Sequence, residues 1–173
     1  MQKKAHLILL FGGTIHNFSQ EDIDKLFKCF HENIYDNGYV LLTIDTNHDP
    51  ISLKEAYDHP YSHALAKSCL AFLKKKCSLD LFNDKAFESQ YKWCPETSEV
   101  KLFLQAQQPQ FFNLNGCEIM IKENDRFHVF SSKKFRDQDI CNLAESHKFK
   151  VVNFFNELEK RIKIYLLQKL TSE

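Results

Sequence analysis

The first 45 residues constrain the fold more tightly than any later stretch. Leu7-Ile8-Leu9-Leu10-Phe11 is an unbroken apolar run that stops at Gly12-Gly13. A short run without polar alternation predicts a strand buried on both faces, as in a parallel sheet. Ser19 follows as a helix N-cap, and Glu21 and Asp22 suit the positive end of the helix. Ile23, Leu26, Phe27, Phe30 and Ile34 keep helical spacing, and Asn37-Gly38 supplies the stop. Tyr39 to Asp45 is a second buried run. Strand, Gly turn, helix, Asn-Gly, strand predicts a βαβ unit.

Beyond Asp45 the pattern changes. Asn47-His48-Asp49-Pro50 breaks the chain. Ser52 to Tyr57 reads as a short helix and His63 to Lys76 as a longer one, with Leu65, Cys69, Leu70, Phe72 and Leu73 inward. From Phe87 the period becomes two. Phe87–Trp93 and Glu99–Leu104 flank Pro95-Glu96-Thr97-Ser98, which is a hairpin signal. Cys117–Lys122 and Arg126–Phe130 add strand-like pieces. Asp137 is expected to cap a helix from Gln138 to His147. Val151–Phe155 and Arg161–Leu167 close the chain as strands, joined by the charged stretch Asn156–Lys160. The class is α/β.

Composition excludes several roles. Lys+Arg and Asp+Glu are both 23, so the basic surplus of a nucleic-acid binder is missing. Lys74-Lys75-Lys76 reads as the solvated end of a helix, meeting its negative pole. The apolar run Leu7–Phe11 is far too short to span a bilayer, and no cleavage site follows it. The six cysteines, Cys29, Cys69, Cys77, Cys94, Cys117 and Cys141, form no CxxC pair. Without a signal peptide they point to a reducing cytoplasm. Cys29, Cys69 and Cys141 fall at apolar helical positions, so they read as small core residues. His59 and His63 have i, i+4 spacing, but Pro60 and the lack of an adjacent glutamate argue against a metal site.

Several short motifs, in order, resemble one family. Leu10-Phe11-Gly12-Gly13-Thr14-Ile15-His16-Asn17-Phe18 resembles the LGSTIGNF signature of the histidine-specific, S-adenosylmethionine-dependent methyltransferases. Gly38 to Asp45 looks like that family's GDxLLLGxD strand, and Asp49 falls at its K-D position. Ala56-Tyr57-Asp58 looks like AYDD, Phe82 to Glu88 like FDLDAFEH, and Ser132-Lys133-Lys134-Phe135 like S-x-K-F. The resemblance covers nearly the whole chain. It implies the C-terminal half of a Rossmann-like sheet, strands four to seven, from residues 1–45 and 136–173. Residues 46–135 would be an inserted α+β substrate domain, and the last two strands would pair antiparallel.

The resemblance also implies roles. These enzymes trimethylate the α-amine of histidine, so the cofactor would be S-adenosylmethionine, with Gly12 and Gly13 on its side of the loop. Gly12 and Asn17 would contact the substrate's amino-acid end. Residues at these positions also serve as a strand turn and a helix cap. Tyr57 would bind the substrate carboxylate, or else serve as a buried helix tyrosine. Ser132 would help hold the imidazole, or else lie exposed on a loop. Phe130 departs from the pattern: the family carries a glutamate there that pairs with the imidazole. An apolar or aromatic substrate side chain suits Phe130 better. His16 replaces the small Gly of the signature and is expected either to crowd the site or to point to solvent.

The chain has no G-x-G element of the kind that approaches the cofactor after strand one. The expectation is therefore the methyl-acceptor half of an amino-acid N-methyltransferase, inactive alone. The alternative is a non-catalytic family member that dimerises or binds a small amino-acid-like ligand. Either way Leu7–Phe11 loses a neighbour and becomes an apolar edge. It is expected to pair with a second copy or with a separate N-terminal methyltransferase half.

Overall fold

The computed structural model describes residues 5–79, 81–156 and 161–171. Met1–Lys4 and most of the expected connection Asn156–Lys160 lie outside the described residues. In chain order the first elements are β1 (Ala5–Leu10), a 3-10 turn (Thr14–Asn17), α1 (Gln20–Asn33), β2 (Ile34–Asp45), α2 (Pro50–Tyr57) and α3 (Pro60–Lys76). There follow β3 (Phe87–Cys94), β4 (Glu99–Ala106), β5 (Gln110–Leu114), β6 (Cys117–Ile121), β7 (Arg126–Lys133), α4 (Asp137–Ser146), β8 (Phe149–Asn156) and β9 (Ile162–Lys169). They form two compact units, Met1–His48 with Lys133–Glu173, and Asp49–Ser132.

The first unit is a four-stranded sheet in the order β1-β2-β9-β8. β1 and β2 run parallel, with Leu9 opposite Leu41. β9 runs antiparallel to β2, with Leu166 opposite Leu41, and β8 is antiparallel to β9, as the motif pattern implied. Ile23, Phe27 and Phe30 of α1 and Ile140 and Leu143 of α4 join one core cluster with Val40, Leu42, Ile44 and Leu167. Ser19 caps α1 as expected, accepting the Asp22 N–H at 3.1 Å.

Only one face of this sheet is packed. Ile8 and Leu10 lie against the core, whereas Leu7 is 49% and Leu9 54% exposed. Burial of β1 on both faces is therefore corrected. Both helices of the unit cover the side of Val40 and Leu42, so the side chains that alternate outward keep their contact with solvent.

The end of α1 also differs. Ile34 already opens β2, three residues before the Asn-Gly stop. The register between β1 and β2 slips between the pairs Ala5↔Ile34 and Leu7↔Tyr39, with Asn37 at φ 63°. The helix is closed by a residue from the far end of the chain. The buried Lys169 ammonium donates to the carbonyls of His31 at 2.9 Å and Ile34 at 3.3 Å and pairs with Asp36. A cation suits the negative end of α1. Asp137 is the first residue of α4, and the N-cap is Arg136. The Asp137 carboxylate instead accepts from Lys163 and Tyr165, and these two bonds hold it below the usual carboxylate range.

The second unit holds the sheet β3-β4-β7, the separate hairpin β5-β6, and α2 and α3. The β3-β4 hairpin has the expected turn, pairing Cys94 with Glu99. α2 begins at Pro50, because the Asp49 carboxylate accepts the N–H groups of Ile51 and Ser52. α3 buries Ala66 and Leu70, not the wider stripe expected. Leu65, Phe72 and Leu73 are exposed, because the seam forms at the small Ala66, where the helix can approach the sheet. The cysteine reading is likewise corrected: Cys29 and Cys69 are exposed, Cys141 is half-buried, and Cys94 is buried in β3. β5 was not foreseen. Its signal is Asn115-Gly116, both left-handed at φ 53° and 86°, a type I′ hairpin pattern.

Gly38 is the tightest backbone position. A Cβ there would lie 2.7 Å from Ile34 Cγ1 and 2.9 Å from the Tyr35 carbonyl. Gly38→Ala is expected to lower stability by about 1–3 kcal/mol, as overpacking does. Urea denaturation of the two proteins checks this, with a shifted midpoint at unchanged slope as the expected result.

Candidate functional site

In the first unit the candidate residues lie on the loop at the C-terminal end of β1. Gly12 and Gly13 are both left-handed, with φ 78° and 69°. A Cβ at Gly12 would meet open space, so this part of the backbone can be approached closely. Asn17 ends the 3-10 turn and is exposed, and its amide makes no side-chain hydrogen bond among the described residues. Capping of α1 falls to Ser19 instead.

His16 neither crowds this loop nor points to solvent. It is buried at 4% exposure. Nδ1–H donates to the Gly13 carbonyl at 2.6 Å, and Nε2 accepts the Asp45 N–H at 2.8 Å. The ring also meets Phe135 edge-on at 5.6 Å. These partners require one neutral tautomer, since a second ring proton would face the Asp45 N–H. Burial pushes the imidazole below its ordinary range, and the Lys134 ammonium adds to this. Lys134 is itself buried and ion-paired with Asp45. Sequence reasoning missed this lock because its partners are 29 and 89 residues apart.

In the second unit Tyr57, Phe130 and Ser132 come together. Tyr57 is the last residue of α2, and Phe130 and Ser132 lie on β7. The Tyr57 and Ser132 hydroxyls are 3.1 Å apart, and the Tyr57 ring stacks on Phe130 at 6.3 Å and 27°. Ser132 is buried in a strand, not exposed on a loop. Beside Tyr57, Asp58 accepts from His63 Nε2 at 2.8 Å. His59 instead caps α3, accepting the Tyr61 N–H. The two histidines therefore have separate tasks. The Tyr91 phenol is buried without a hydrogen-bond partner, and burial followed by the nearby Asp58 raises its pKa. Asp58 was legible in the Ala56-Tyr57-Asp58 motif. Tyr91 carried no sequence signal beyond strand alternation. Among the described residues no three His, Cys, Asp or Glu side chains gather as metal ligands.

Two features of the first unit bear on S-adenosylmethionine. Gly12 offers a close approach at the C-terminal end of a parallel strand, where such sheets bind ligands. The acid at the end of β2, Asp45, is committed to Lys134 and to the Asn47 N–H, so it is not placed to hold a ribose.

A family model described as histidine-specific methyltransferase, SAM-dependent, matches residues 1–169. The chain belongs to this family. No curated protein matches the sequence. Among solved structures, a S-adenosylmethionine-dependent methyltransferase from Clostridium acetobutylicum is similar at 11% identity and TM-score 0.52, over 99% of this chain and 61% of that one. The CcbJ methyltransferase from Streptomyces caelestis is similar at 8% identity and TM-score 0.45, over 99% of this chain and 63% of that one. The first supports a Rossmann-like methyltransferase fold and nothing finer. The chain thus spans about six-tenths of the length of the structures it matches. No helix among the described residues is long and apolar enough to cross a membrane.

The lock makes the first unit sensitive to acid. Between the lowered folded value and about 6.5 the unfolded chain binds more protons at His16 than the folded chain does. The contribution of His16 is therefore fully present above about pH 6.5 and is lost as pH falls through the folded value. His31 is lowered too, by burial and then by Lys169 and Lys148, and adds in the same direction. Stability measured by urea unfolding from pH 7.5 to 5 is expected to fall, with His16 supplying at most about 1.4 kcal/mol per pH unit. His16→Gln should flatten that slope, and an equally steep slope in the variant would refute the assignment.

Proposed function

We propose that the chain is the acceptor-binding part of a SAM-dependent methyltransferase that modifies the amino group of an amino-acid-like substrate. The observation that carries this is the meeting of Tyr57, Phe130 and Ser132 within the second unit. Methyl transfer from a sulfonium to an amine needs little acid–base help, so positioning supplies most of the rate. A phenol and a hydroxyl suit an orienting role because each can donate or accept. In this reading Tyr57 holds the carboxylate of the acceptor and Ser132 hydrogen-bonds its polar edge. Phe130 faces an uncharged side group in place of an imidazole.

The cofactor is held largely by residues other than those described here. β1 has β2 alone as a hydrogen-bonded neighbour among the described residues, and its outward face exposes Leu7 and Leu9. An apolar parallel strand with an open edge is a template for another strand. We infer that this edge receives the cofactor-binding strands of the enzyme, as an α/β segment or partner. Self-pairing of β1 across a two-fold axis is the competing outcome.

Two measurements test the proposal. Titration of S-adenosylmethionine into the purified chain is expected to show no stoichiometric binding, and saturation at one equivalent would overturn the division of labour. Methyl transfer from labelled cofactor to a panel of amino acids is then assayed with the co-purified partner. Tyr57→Phe is expected to raise KM about 10- to 100-fold, the loss of one hydrogen bond to a charged group, with kcat little changed. Unaltered KM would remove Tyr57 from the site.

A further inference from the structure

Two cavities in the second unit share a wall with this assembly. The first, about 210 Å³, is bounded by Tyr57 and Phe130 at one end and by Leu65, Ala66 and Leu102 along its sides. The second, about 350 Å³, runs on between α3 and the sheet past Leu73, Leu104 and Phe127. Cys69 and Val129 line both, so the two form one groove. Together they fall in the size range of small-molecule sites, which are mostly apolar with a few polar groups at a fixed place. The polar place here is the end with the Ser62 hydroxyl and with Tyr57, whose phenol meets Ser132 behind the lining.

The lining decides the chemistry. Among the described residues neither cavity is lined by a carboxylate, lysine or arginine. His128 is the one imidazole, and its Nε2 is engaged with the Ser131 hydroxyl at 2.8 Å. An ionised group drawn into such a groove would lose its hydration with no opposite charge to meet it. An uncharged hydrocarbon loses nothing comparable. Leu65 and Leu73 stay 66% and 42% exposed along the groove, so apolar surface remains for a ligand to cover.

We propose that the groove binds an elongated apolar side group of the acceptor, so that the substrate class is a primary amine or amino acid with a long aliphatic or aryl-alkyl chain. This rests on the acceptor reading of Tyr57 and Ser132. The chain occupies the space between α3 and the sheet, and the polar head stays at the Tyr57 end. Phe130 supplies an apolar wall where the groove begins. Histidine, short and polar, leaves the second cavity unfilled.

The test is binding by calorimetry to the purified chain, with butylamine, hexylamine, octylamine and decylamine as probes and histidine as the reference. Affinity is expected to rise about fourfold per added methylene until the groove is full, saturating at one equivalent. Leu73→Trp, which fills the second cavity from the exposed side of α3, is expected to weaken decylamine at least tenfold and leave butylamine within twofold. Leu73→Gln, which preserves size at an exposed helix position, should weaken decylamine in the same direction should the tryptophan variant fold poorly. Histidine binding more tightly than decylamine would overturn the inference. So would binding of several equivalents without saturation, or decylamine affinity unchanged in both variants. No cofactor or turnover enters the measurement. A failure here therefore leaves the methyl-transfer reading standing, and a failure of the labelled-cofactor assay leaves the groove standing.

Discussion

The first unit is held together at Asp45. Its backbone N–H reaches His16 Nε2, its carboxylate takes the Lys134 ammonium, and its carbonyl accepts the Phe135 N–H at 3.4 Å. Three stretches distant in sequence therefore meet at one residue: the loop after β1, the end of β2 and the return of the chain before α4. Asp45 lies three residues before the chain leaves this unit, and Lys134 lies just after it returns. The bonds pin both ends of an insertion of more than eighty residues, which would otherwise be a long loop to close. Lys134 is 1% exposed. A cation so deeply buried is tolerable only while paired, and removing its partner costs about 3–5 kcal/mol. The lock is thus more important for specifying geometry than as a source of net stability.

That anchoring leaves a sheet with unequal faces. α1 connects two parallel strands, and α4 leads into β8; both pack on the side of Val40 and Leu42. The other side carries Leu7 and Leu9 of β1 beside Tyr39 and Leu41 of β2, paired in register. A parallel pair is ordinarily covered on both faces because its crossovers deliver helices to each. Here the crossover of the described pair delivers one helix to one face. The exposed face is therefore a consequence of this topology among the described residues.

What could be read from the sequence follows the range of the forces involved. The βαβ unit, the Ser19 cap and the Pro95–Ser98 turn are local, and each formed, although the second strand of the unit opens at Ile34 and not at Tyr39. The apolar run of β1 was legible as a strand, but not its one-sided burial, because apolar residues look alike whether or not a helix arrives to cover them. α3 failed for a related reason. Its apolar residues circle most of the helix, and only the close approach at Ala66 decides which stripe is inward. The short family motifs brought Gly12, Tyr57 and Ser132 to notice as positions. They did not show that Ser132 is buried against Tyr57, nor that His16 turns inward, since both depend on contacts across 75 and 29 residues.

The exchange at Phe130 shows why position and chemistry have to be argued separately. Tyr57 and Ser132 meet at 3.1 Å, which under the proposed reading is the frame for an acceptor. Phe130 stacks on Tyr57 at the position where the resemblance implies a glutamate, so under the proposed reading no carboxylate meets the acceptor there. A site that hydrogen-bonds a polar group rejects analogues lacking it by large factors, whereas an apolar wall discriminates by only ~1–3 kcal/mol per methylene. Under that reading the missing carboxylate does more than change the preferred side chain. It moves discrimination from a single strong contact to shape and length, which need an extended surface to act on. The groove running from Phe130 to Leu73 is the extended apolar surface in this unit that begins at the altered position.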